Sequence, residues 1–95
     1  MYISNLVAMR IHDLINEIHE LKNNTPRKAA FDIYNILENN KTLFLDVLEH
    51  DVFNQILNDF EKMAYAAAAE FNSPQYKDDF SKAYNLLSFY LNKVI

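Results

Sequence analysis

Apolar residues recur along this chain at intervals of three and four, the spacing that builds one face of an α-helix. The first stripe is Leu6, Val7, Ile11, Leu14, Ile15, Ile18 and Leu21, which predicts a helix over about 4–22, ended by Asn23-Asn24. Thr25-Pro26 then reads as a helix start: Thr supplies a capping oxygen, and Pro fits the first turn, where no N–H is needed. The second stripe is Ala30, Ile33, Tyr34 and Leu37, closed by Asn39-Asn40. From Thr42 the pattern is dense but short, through Leu43, Phe44, Leu45, Val47 and Leu48. With Asp51 as a cap, it divides into a brief helix over 42–49 and a long one over 52–71. A single continuous helix is the alternative, because the stripe hardly changes phase. The long helix carries Phe53, Ile56, Leu57, Phe60, Ala64, Ala67, Ala68 and Phe71 inward. Ser73-Pro74 repeats the cap-plus-proline start, and the last helix presents Tyr76, Phe80, Ala83, Tyr84, Leu87, Leu91 and Val94 to the core.

The segments between these stripes are two to four residues long, which favours antiparallel neighbours. The expected fold is therefore all-α: one domain over 1–95, an antiparallel up-and-down bundle of four main helices with a short extra helix at 42–49. Composition agrees. Among 95 residues there is no Gly, and only two Pro. A β-rich chain normally needs Gly at turns of positive φ, so the expected turns are built on Asn, the next best residue for a left-handed helix end. Hydrophobic residues make up 51% of the chain and aromatics 14%, enough for a core of its own.

There is no Cys, which removes disulfides and thiolate metal sites and fits a reducing compartment. No basic region followed by an apolar run opens the chain, and no apolar stretch is long enough to span a bilayer, so a cytoplasmic location without membrane insertion is expected. The net charge of −4 argues against nucleic acid as a partner, since phosphate binding needs a basic face. That charge is uneven. Between Thr42 and Tyr76 lie Asp46, Glu49, Asp51, Asp59, Glu61 and Glu70 against a single Lys62.

Candidate chemistry is sparse. His12 and His19 share a flank of the first helix with Asn16 between them, but bundle metal sites draw on Glu-x-x-His pairs, and none is present. His50, between Glu49 and Asp51, reads as a solvated junction. Ser4, Ser73, Ser81 and Ser88 sit in no Gly-rich elbow, and no Gly-rich phosphate loop exists. The reading is a non-enzymatic protein with no metal and no cofactor. Two features instead suggest a protein partner. On the last helix, Leu86 and Phe89 fall outside the inward stripe, flanked by Lys82 and Lys93. On the long helix, Asp51, Asn54, Asn58, Glu61 and Tyr65 form a polar outer face with an aromatic at its end. A solvated face is the plain reading of the second feature, and recognition of a basic partner the sharper one.

Three segments carry a resemblance to a known family: Ile11-His12-Asp13-Leu14-Ile15-Asn16-Glu17-Ile18, then Asp51-Val52-Phe53-Asn54-Gln55-Ile56-Leu57, then a last helix entered through Ser73-Pro74-Gln75-Tyr76. In layout the chain resembles the small cytosolic bacteriocin immunity proteins of lactic acid bacteria, the enterocin A immunity type. The resemblance implies a four-helix bundle that protects its producer by engaging a membrane receptor–toxin complex peripherally, from the cytosolic side. It departs from that family at the C-terminal end, where a flexible tail is common and this sequence reads as helix to Ile95. The stretch from Ile36 to Leu57 also resembles the ligand-binding half of TetR-type regulators, without a helix-turn-helix before it. Two other functions stay open: a phage- or plasmid-borne inhibitor occupying a basic groove of a host protein, and a structural homo-oligomer or homodimer joined through the last helix.

Overall fold

The computed structural model describes residues 5–21, 23–66, 70 and 73–94, with the side chains of 5–8 and 94 outside that description. Five α-helices follow one another: α1 (Asn5–Leu21), α2 (Pro26–Asn39), α3 (Lys41–Val47), α4 (His50–Ala64) and α5 (Pro74–Val94). The chain forms an all-α bundle, with α3 as the short extra helix. The two-helix division of the 42–71 region holds.

Among the long helices, α2 lies against α4 most extensively, α4 against α5, α1 against both α2 and α5, and α2 also reaches α5. Their directions follow from which ends meet. Arg10 near the start of α1 donates to the Asn40 Oδ1 that follows α2. Phe31 early in α2 touches Tyr65 just past α4, and Phe60 late in α4 touches Phe80 early in α5. α1 and α2, α2 and α4, and α4 and α5 therefore run antiparallel. Ala29 and Ala30, both fully buried, keep the α2 surface low where other helices approach it.

The core is apolar apart from the hydroxyls of Tyr76 and Tyr84. No polar or charged residue among those described is buried, and the largest fully enclosed side chains are Phe44, Phe53 and Phe60. Phe44 stacks on Phe53 with centroids 5.9 Å apart, and Phe60 meets Phe80 edge to face at 6.3 Å. Phe53, Ile56, Leu57, Phe60, Phe80, Leu87 and Leu91, expected to share one core, do so.

The helix ends depart from the sequence expectations in four places. Thr25 occupies the cap position of α2, but its side chain makes no capping bond, and Pro26 alone marks the start. Asp51 is not a cap: α4 begins one residue earlier, after Glu49, and Asp51 sits in the first turn, where its charge faces the helix dipole favourably. No described residue has positive φ, so Asn does not end helices here by turning left-handed. Asn40 instead donates from Nδ2 to the Ile36 carbonyl at 2.8 Å, the same carbonyl that accepts its backbone N–H at 3.1 Å. Fourth, α4 stops at Ala64 rather than 71. The Ala66 N–H reaches back only three residues, to the Met63 carbonyl, and the buried Tyr76 hydroxyl donates to the same carbonyl at 2.9 Å. A side chain of α5 thus takes the acceptor that a further turn of helix would need. Ala67, Ala68 and Phe71, placed on the same stripe by sequence, lie outside the described residues. Ser73 behaves as expected, its Oγ accepting the Tyr76 N–H at 3.1 Å.

Candidate protein-binding surface

The outer face of α4 is where the sequence places it. Asp51, Asn54, Asn58, Glu61 and Tyr65 are all exposed, and Tyr65 is the most open large hydrophobic side chain among those described, at 67%. The structure adds what the sequence did not reveal. Because α2 runs antiparallel beside α4, Phe31 and Tyr34, three residues apart on one flank of α2, both reach the end of α4. Phe31 meets the Tyr65 ring edge to face at 6.4 Å, and Tyr34 meets it at 5.8 Å. Phe31 is itself 44% exposed. The sequence reading assigned Tyr34 to the inward stripe of α2. It lies half-buried at the edge of that stripe, because Ala29, Ala30, Ile33 and Leu37 already fill the inward line.

The surroundings of this three-ring cluster are mostly acidic on one side and basic on the other. Partial burial, followed by the carboxylates of Glu61 and Glu38 and by Tyr65, raises the Tyr34 hydroxyl pKa above its ordinary value. Beyond Tyr65 lies a surface depression of about 610 Å³ bordered by Asn58, Glu61, Lys62, Tyr65, Ala66 and Glu70. On the Phe31 side stand Arg27 and Lys28, and Lys28 is paired with Asp32 at 2.9 Å.

On α5, Lys82, Leu86, Phe89 and Lys93 follow one flank. Phe89 is 53% exposed, as its helical phase implies, with the Lys93 Nζ 4.3 Å from its ring centroid and the Tyr90 ring edge-on at 5.4 Å. Leu86 departs from the expectation. It is half-buried and packed against the core, where it borders a groove between α4 and α5 that Met63 also lines. Lys82 is exposed and paired with Asp78 at 3.1 Å.

The histidines find another use. His12 is exposed, whereas His19 shares a hydrogen bond through Nδ1 with the hydroxyl of Tyr84, tying α1 to α5, their rings 5.8 Å apart. Tyr84 is buried, and the loss of water around it raises its pKa. Among the described residues no three His, Cys, Asp or Glu side chains come together in a way that would hold a metal ion. Likewise, no described helix is long and apolar enough to cross a membrane.

No family model matches the chain, and no curated protein or solved structure is significantly similar to it.

Proposed function

We propose that this protein acts by binding another protein, without catalysis, through the face where the end of α4 meets α2. The observation that carries the reading is the open aromatic cluster of Phe31, Tyr34 and Tyr65. Large rings left in water forgo burial that an interface core can recover, and interface cores are enriched in such residues. The acids along α4, from Asp51 to Glu61, add attraction and a faster encounter with a basic partner rather than affinity itself.

Within that class, the biological role we favour is immunity to a bacteriocin, supported by the family resemblance of the α1, α4 and α5 segments. Cells sensitive to bacteriocins of lactic acid bacteria, made to express this chain, should become resistant, and a Phe31→Ser, Tyr65→Ser variant that still folds should not protect them. Unchanged sensitivity across a panel of such toxins would remove the immunity role and leave a protein-blocking inhibitor as the alternative within the class.

A second reading has its own observation. Phe89 under Lys93 on α5 is an exposed aromatic remote in sequence from the first cluster, and it favours self-association through α5. Sedimentation at rising concentration tests this: a dimer abolished by Phe89→Ser supports it, and a monomer at every concentration refutes it.

A further inference from the structure

We propose that Tyr65, backed by Phe31 and Tyr34 and bordered by Glu61 and Glu70, is a receptor for an arginine side chain presented by a basic segment of the partner protein. The inference deepens the proposed function and rests on that face being the binding face.

Five observations support it. Tyr65 follows the last residue of α4, at the helix end that carries partial negative charge and favours a cation. Its ring makes T-shaped contacts with Phe31 and Tyr34 and still stays 67% exposed. A cation above such a ring is attracted by the negative π-face, and arginine can stack there as well. The depression at Tyr65 contains two carboxylates, Glu61 and Glu70, against one amine, Lys62. A planar guanidinium lying on the ring can reach a carboxylate at its edge in a paired geometry that an ammonium cannot match. The basic groups on the opposite side, Arg27 and Lys28, flank Phe31 and bias the site toward the Glu61 side of Tyr65. The chain's net charge of −4 favours the same class of partner.

The test uses the full chain and a short acetylated, amidated peptide of alternating arginine and alanine. Its controls replace arginine by citrulline, the neutral isostere, or by lysine. Aromatic and amide resonances are followed by NMR during titration. The arginine peptide should shift the rings of Tyr65, Phe31 and Tyr34, the lysine peptide should do so more weakly, and the citrulline peptide should leave them unmoved. Tyr65→Ala should weaken binding roughly three- to ten-fold, Tyr65→Phe should restore it, and paired Glu61→Gln and Glu70→Gln changes should weaken it and flatten its salt dependence. Tyr65 is exposed, so the alanine variant is expected to keep its fold, and its amide spectrum verifies this.

Equal shifts from the citrulline peptide would overturn the proposal, since the site would then be an apolar patch. So would arginine binding that spreads along the acidic surface and ignores Tyr65→Ala. Ring shifts produced by raising the protein concentration alone would assign the patch to a second copy of the chain and overturn it as well. Failure here is separable from failure of the function above. Toxin protection lost with Phe31→Ser and Tyr65→Ser, but no response to the arginine peptide, removes the arginine site alone. A ring-specific response without protection removes the immunity role alone.

Discussion

Replacing Phe60 with alanine probes the centre of the bundle. Phe60 is fully enclosed on the inner face of α4, and its ring meets Phe80 of α5 edge to face at 6.3 Å and 83°. Truncating an enclosed Phe to Ala costs about 3–5 kcal/mol, the transfer of the ring plus the cavity it leaves. The ring pair with Phe80 places this site toward the upper end, since such pairs contribute about 0.5–1.5 kcal/mol beyond area. A domain of this length holds a total stability of roughly 5–14 kcal/mol. The substitution therefore removes about a fifth of it or more and lowers the melting temperature by about 12–40 °C. Urea unfolding followed by far-ultraviolet circular dichroism measures the change, with the m-value showing whether the transition stays two-state. Should Phe60→Ala fail to fold, Phe60→Leu provides the milder step, and a double-mutant cycle with Phe80→Leu should return a coupling of about 0.5–1.5 kcal/mol. A loss below about 1 kcal/mol at unchanged m would refute the reasoning, because a side chain enclosed on every side cannot be deleted so cheaply.

Tyr76→Phe should cost about 0.5–1.5 kcal/mol, since it removes the hydroxyl bond while the Met63 carbonyl keeps the Ala66 N–H; a neutral substitution would show that the hydroxyl bond contributes nothing net. Burial raises the pKa of both Tyr76 and Tyr84 above the ordinary 10.0. As pH rises, the unfolded chain loses these protons first and holds fewer than the fold, so stability from this source is complete below about pH 10 and declines above it. Urea midpoints measured through that range should fall, and the fall should shrink in a Tyr76→Phe, Tyr84→Phe variant; an identical slope in that variant would disprove the assignment. Phe89→Ser should change stability by no more than about 0.5 kcal/mol, whereas Leu86→Ser, touching the core, should cost about 1–2 kcal/mol. Equal costs in thermal melts would mean that the two residues share one environment.

Most of the fold was legible because helical periodicity reports burial directly. Ile11, Leu14, Ile15 and Ile18, or Phe53, Ile56, Leu57 and Phe60, can be read inward from spacing alone, and they are inward. The helix ends were less legible, because they depend on partners distant in sequence or on a choice between two hydrogen-bonding modes. Asn40 illustrates the second case: its presence at the end of α2 was readable, but its side-chain bond to Ile36 was not separable from a left-handed turn. Leu86 illustrates a limit of the helical wheel. A residue near the border of a stripe is buried or exposed according to how closely its neighbours pack, and Leu86 ends half-buried against the core at the α4–α5 groove. The α4 half of the candidate surface could be read from sequence, whereas the Phe31 and Tyr34 half could not. Phe31 belongs to no stripe, and only the antiparallel pairing of α2 with α4 brings it to Tyr65. An off-stripe aromatic three residues before another, facing a helix that ends in Tyr, was the one signal available.

The end of α4 links fold and surface. Tyr65 lies fourteen residues after Asp51, close to four whole helical turns, so in an uninterrupted helix it would simply complete the polar face. The helix instead stops at Ala64, and Tyr65 takes φ −110° and ψ 16° as the first residue beyond it. Two residues earlier, the Met63 carbonyl is held by Tyr76, so the start of α5 secures the backbone on which Tyr65 stands. On the other side, Phe31 and Tyr34 hold its ring. The exposed aromatic is thereby fixed from both flanks by elements that also build the core. A ring already ordered in the free protein loses little further freedom when a partner arrives, and that reduces the entropic cost of binding. The interactions that end the helix are therefore the same ones that make its end suited to recognition.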